Sequence, residues 1–105
     1  MAELGPLVGT EWLASNDAAY GLAAQLLAAK LNVAAQAGTC AAALQAILDG
    51  QALLANDPTD LTQPGVNFTA TGSYLEPRAT NKTLRAQATA LAATLDSYNN
   101  NTLCP

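Results

Sequence analysis

Leu22-Ala23-Ala24-Gln25-Leu26-Leu27-Ala28-Ala29-Lys30-Leu31-Asn32-Val33-Ala34-Ala35 is the stretch whose reading decides the fold. It holds no proline or glycine, and alanine, leucine, glutamine and lysine all favour the helix. Leu22, Leu26, Ala29 and Val33 fall on one helical line, and Ala23, Leu27 and Leu31 on an adjoining one. An apolar arc this wide predicts contacts on two sides, as in the central helix of a bundle. Ser15, Asn16 and Asp17 offer three N-caps ahead of it. The apolar run from Ala18 to Ala37 is interrupted by Gln25, Lys30, Asn32 and Gln36, so it reads as a buried helix and not as a membrane span.

Working outward, Gly38 is expected to end this helix and Thr39 to cap the next. The second helix is expected over about Cys40 to Ala55, with Leu44, Ile47, Leu48 and Leu54 facing inward and at most a slight bend at Asp49-Gly50. Asn56-Asp57-Pro58 stops it. Residues 56–76 read as an irregular loop, with a turn at Pro64-Gly65 and an extended alternation of Val66, Phe68 and Ala70 against Asn67, Thr69 and Thr71. Phe68 is expected to plug the helix ends. The last helix starts after Pro77, capped by Thr80, and carries the stripe Leu84, Ala88, Leu91, Leu95 and Tyr98. Residues 1–14 form a lead-in, where Thr10-Glu11-Trp12-Leu13 makes one helical turn. The fold class is therefore all-α: one domain over 1–105, a small antiparallel bundle of three main helices plus a short N-terminal turn.

Composition narrows the function classes. Of 105 residues, 24 are alanine and five aromatic, so the core relies on close helix approach, with leucine filling the gaps. Charged residues are only 11%, which leaves asparagine, threonine, glutamine and serine to make the polar surface and suits an exposed or assembled protein. The four bases are Lys30, Arg78, Lys82 and Arg85 against eight acids, too few for a face that tracks phosphates, so nucleic acid is not an expected partner. Cys40 and Cys104 are either two core thiols or a disulfide. The second reading is favoured because a bond closing so long a loop stabilises a small domain by roughly 4 kcal/mol and ties down a chain end. Such bonds persist outside the cell. Met1-Ala2-Glu3-Leu4 lacks the basic start and apolar run of a secretory signal, so the expectation is a domain excised from a longer protein and carrying an added Met.

The run from Leu22 to Ala35, followed by Gly38 and Cys40, and the close Leu95-Asp96-Ser97-Tyr98-Asn99-Asn100 before Cys104-Pro105, carry a resemblance. Together they resemble an uncharacterised alanine-rich helical module of large secreted prokaryotic cell-surface proteins. The likeness covers about 20–55 and 80–105 and leaves the middle loop unmatched. It implies an extracellular or cell-surface location and a Cys40–Cys104 bond. No enzymatic activity or residue of assigned chemistry comes with it.

Catalytic chemistry has little to build on. With no histidine, Ser-His, Cys-His and imidazole-metal sites are excluded. Asp57 and Asp60 are the only close pair of acids, and two carboxylates in a loop read as turn caps sooner than as a calcium site. No enzyme, metal or cofactor is expected. Asn67-Phe-Thr69, Asn81-Lys-Thr83 and Asn100-Asn-Thr102 are candidate glycosylation sites. Trp12 and Tyr74, in irregular parts, are candidate recognition residues, each weighed against a plain packing role. The expected function is a non-enzymatic structural or assembly module of an extracellular surface or fibre protein, partnered by like subunits or neighbouring domains. The alternative is a glycan- or peptide-binding module acting through the 56–76 loop and Trp12.

Overall fold

The computed structural model of the chain describes residues 17–60, 62–77 and 80–104. They form three helices: α1 over Ala18–Ala34, α2 over Ala41–Ala55 and α3 over Lys82–Asn99. The all-α bundle with one disulfide is as the sequence predicts, while the expected lead-in turn and Trp12 lie outside the described residues.

Of the three possible caps, Asp17 starts α1. Its backbone is extended and its carboxylate accepts the Ala19 N–H at 2.9 Å. The end of α1 differs from expectation, because Gln36, not Gly38, takes the left-handed conformation, with φ 67°. Bonds from the N–H groups of Ala35, Gln36 and Ala37 to Leu31, Val33 and Asn32 satisfy the last carbonyls and offset the cost of a left-handed glutamine. The cap of α2 is Cys40, not Thr39, and it makes no side-chain cap bond. Its sulfur is instead joined to Cys104, with Cα atoms 5.6 Å apart, so this helix start is held covalently. For α3 the cap is Asn81 rather than Thr80, its amide oxygen accepting the Leu84 N–H at 2.9 Å.

The bonds between ends fix the topology. Ala18 N–H and Arg85 Nε both donate to the Leu75 carbonyl, at 2.9 and 3.1 Å, which brings the starts of α1 and α3 together. The disulfide joins the tail after α3 to the start of α2. Successive helices therefore run antiparallel, α1 and α3 point the same way, and the α1–α3 contact is the largest of the three. Leu22, Leu75 and Leu95 are fully buried, and Ala19, Ala29, Ala43 and Ala88 expose no surface, so bare backbones meet closely between the leucines. The α3 stripe is as expected: Leu84, Ala88, Leu95 and Tyr98 are buried and Leu91 is half-buried. A polar seam completes the α1–α3 contact. There Asn99 donates to the Gln25 carbonyl at 3.1 Å and to Gln25 Oε1 at 2.7 Å, and accepts from Asn32 at 2.9 Å.

The inward assignment fails for a defined set of residues. Leu27 and Leu31 are each 61% exposed, Leu48 58%, Leu44 46% and Val33 37%. Among the described residues the wide apolar arc of α1 is covered where α2 and α3 pack on it, and the row of Leu27 and Leu31 lies outside that cover. Among the described residues the expected extended segment is not a strand. The N–H groups of Val66 and Phe68 instead donate to the carbonyls of Leu53 and Leu54, at 3.0 and 2.7 Å, capping the last turn of α2. Val66 is buried and Phe68 half-buried, but the alternation breaks at Ala70, which is exposed with φ 62°.

Two glycines respond oppositely to a methyl group. A Cβ on Gly50, inside α2, meets Leu22, Leu26 and Leu95 side chains at 3.4, 3.7 and 3.8 Å, which is ordinary contact. Gly50→Ala is expected to raise stability by about 1 kcal/mol through helix propensity. At Gly65 a Cβ falls 2.5 Å from the Leu53 carbonyl oxygen and 2.7 Å from that of Asn56, backbone atoms that cannot step aside. Gly65→Ala is expected to cost roughly 1–3 kcal/mol. Urea denaturation of both variants against the parent chain reads the difference in sign.

Candidate functional site

Asp17 organises the loop end of the bundle. Besides capping α1, its Oδ1 accepts the Leu75 N–H at 2.9 Å and its Oδ2 the Tyr74 N–H at 2.7 Å. The residue is 2% exposed, so three backbone donors from two segments meet one buried carboxylate. This clamp sets Tyr74 against Tyr20 and Phe68. The ring centroids are 5.9 and 5.0 Å from Tyr74, and Tyr20 and Phe68 meet edge-on at 5.1 Å.

The hydroxyls are consumed in the same cluster. Tyr20 donates to the Gly72 carbonyl at 2.6 Å. Tyr74 Oη accepts the Thr69 N–H at 3.0 Å and lies 2.9 Å from the Thr69 hydroxyl. The candidate recognition residue Tyr74 is thus half-buried, its ring packed and its hydroxyl engaged, while Trp12 lies outside the described residues.

The Thr69 hydroxyl, then the Thr69 N–H, lower the Tyr74 pKa from 10.0 to about 8. A phenol with a folded-state value below its unfolded one adds stability that is complete above the unfolded value and lost as pH falls through the folded one. Between about pH 8 and 10 this group therefore makes the fold steadily more stable as pH rises. Ultraviolet titration is expected to show one tyrosine ionising near pH 8, and that step to be missing in Tyr74→Phe.

Asp57 and Asp60 each close their own turn. Asp57 Oδ1 accepts the N–H and hydroxyl of Thr59, both at 2.8 Å. Asp60 Oδ1 does the same for Thr62 at 2.8 Å and adds the Gln63 N–H at 3.0 Å. Each carboxylate is held below its ordinary pKa, Asp57 chiefly by the Thr59 N–H and Asp60 chiefly by the Gln63 N–H. They are turn formers, and no group of three or more metal-ligating side chains occurs among the described residues.

The described residues also line several concavities, one of about 240 Å³ beside Tyr74, Leu75 and Asn81. A groove of about 510 Å³ runs between the loop and the helices, lined by Asp49, Asn56, Thr62, Gln63, Gln87 and Leu91 among others. At the disulfide end a polar hollow of about 400 Å³ is lined by Asn32, Thr39, Tyr98, Asn99 and Asn101. Another, about 290 Å³, lies between α1 and α2 and is walled by Lys30, Val33, Ala34, Leu44 and Ile47. It opens within the exposed leucine surface.

The candidate glycosylation residues Asn67, Asn81 and Asn100 are all exposed. They differ in what their amides do. Asn81 caps α3 through its oxygen, and the Asn100 nitrogen donates to Asp96 at 2.9 and 3.0 Å. The Asn67 side chain carries no such duty. The polar seam of Gln25, Asn32 and Asn99 was not singled out from sequence, although Gln25 and Asn32 stand seven residues apart, a spacing that puts both on one helix face. Asp17 was expected only as a cap. Its partners are 57 and 58 residues away, and no local signal points to them.

No family model matches the chain, and no curated protein or solved structure is significantly similar to it. No helix of the described residues is long and apolar enough to cross a membrane.

Proposed function

We propose that this chain is a non-enzymatic structural module of an extracellular surface or fibre protein, serving to space subunits and to join them. The observation that carries the reading is the set of leucines left exposed on α1 and α2 in a bundle whose Asp17 carboxylate and Tyr74 hydroxyl are already occupied. A surface with few charges and large apolar side chains suits docking against like subunits or neighbouring domains. The Cys40–Cys104 bond supports an oxidising setting, since such bonds are rare where thiols are kept reduced. Glycans on Asn67 would fit that setting, with Asn81 and Asn100 as further acceptors.

The alternative of glycan or peptide recognition is favoured by one feature, the groove beside the loop with its amide and hydroxyl lining. Light scattering after size exclusion, together with electron microscopy, separates the two. Defined oligomers or filaments are the expected result. A strict monomer that captures a sugar or peptide in the groove would overturn the structural reading.

A further inference from the structure

Leu27 and Leu31 of α1 follow each other at i and i+4, with Ala24 and Ala34 extending the same line. Leu44 and Leu48 do the same on α2, extended by Ala41 and Ala55. The shallow hollow walled by Val33, Ala34, Leu44 and Ile47 joins the two rows, so they belong to one face of the α1–α2 hairpin. At roughly 100 Å² of exposed surface per leucine, the face presents on the order of 500 Å² of apolar area, the upper end of what a monomer keeps uncovered.

Its charge pattern is as informative as its area. The chain carries −4 overall, yet among the described residues Lys30 is the one charged residue between the rows, and its ammonium donates to Gln51 on α2 at 2.8 Å. The acids among the described residues lie elsewhere: Asp17 is buried at the loop end, Asp57, Asp60 and Glu76 belong to the connection, and Asp96 bonds to Gln25 at the α1–α3 seam. Asp49 is on α2 but turned from the leucine row, where it accepts from Gln45 at 2.8 Å and lines the loop-side groove.

We infer that this face pairs with the same face of a second copy, two α1–α2 hairpins closing into a four-helix contact. The inference rests on the structural reading above and names its surface. Two like-charged molecules meet most easily through a face that carries none of the acids among the described residues. Two such faces bury about 1,000 Å², the area a specific interface needs, at the size where association is concentration-dependent. Two-fold pairing sets the same patch on both copies, so one face supplies both halves of the contact. The single basic group is already held by a neutral partner within its own chain, so the pairing leaves no new unpaired charge.

The test is sedimentation of the full, disulfide-bonded chain over a concentration series reaching the high micromolar range. The expected species is a dimer of twice the 10.7 kDa chain mass. Leu27→Gln with Leu48→Gln changes side chains that are mostly in solvent, so the helical circular dichroism should persist while association weakens at least tenfold. Leu31→Gln with Leu44→Gln should do the same, and Ala86→Gln on the exposed side of α3 should change nothing. An oligomer that survives both double variants overturns the face and leaves the assembly reading standing. A wild-type chain that stays monomeric throughout overturns both.

Discussion

Replacing Cys40 and Cys104 together by serine is expected to lower stability by about 4 kcal/mol, the loop-closure contribution of a crosslink of this span. The bond joins positions 64 apart, so cutting it releases a loop that takes in α2, the long connection and α3. The bond also tethers the start of α2 and the tail. The α2 start has no side-chain cap of its own, and the tail from Asn101 to Cys104 is held otherwise by local bonds such as Thr102 N–H to Ser97 at 2.9 Å. Half-buried Cys40, Cys104 and Leu103 pack against the core only while the tail stays there. In a domain of this size the melting temperature should fall by roughly 15–25 °C. Thermal denaturation under reducing and oxidising conditions, beside the double serine variant, measures it. Equal melting of all three would mean that the helices hold the tail without help from the covalent bond.

Asp17→Ala carries the second large effect, expected at about 3–4 kcal/mol. It removes a helix cap and strands the N–H groups of Ala19, Tyr74 and Leu75 near a buried position. Hydrogen bonds to a charged acceptor are worth more than neutral ones, and donors left buried without a partner cost more than the bonds contributed. Asp17→Asn tests the assignment. Its amide oxygen can take over the Ala19 and Leu75 donors, while its NH₂ faces the Tyr74 N–H, so about half the loss should return. Amide exchange at Tyr74 and Leu75 is expected to quicken in both variants, and more in alanine than in asparagine. Unchanged exchange at these two amides in Asp17→Ala would mean that the loop is fixed by the Tyr20–Phe68–Tyr74 cluster alone.

How far the sequence was legible depends on the range of the interaction involved. The helices were legible because their signals are local: a cap residue at Asp17, an uninterrupted run of helix formers after it, the Leu84–Tyr98 stripe at alternating spacings of four and three. The irregular connection was legible for the same reason, from Pro58, Pro64 and Gly65. The caps at Thr39 and Thr80 were assigned one residue off, because neighbouring residues offer similar side-chain oxygens and a disulfide can replace a cap altogether. Asp57 and Asp60 were read correctly as turn formers, since each bonds within three residues of itself.

The amino-acid order alone determined that the chain would build three main helices, because propensity, capping and spacing act over one or two turns, whereas the Cys40–Cys104 closure spans 64 residues and was one of two readings. Only the tertiary structure decided which apolar rows are covered. Leu22 and Leu27 look alike in a helical pattern, yet one is fully buried and the other 61% exposed. The difference is where α2 and α3 lie, and that is set by the Asp17 clamp at one end and by the disulfide and the Gln25–Asn32–Asn99 seam toward the other. Hydrophobicity marks a residue as able to be buried, but burial itself needs a partner surface, and only the tertiary structure supplies one.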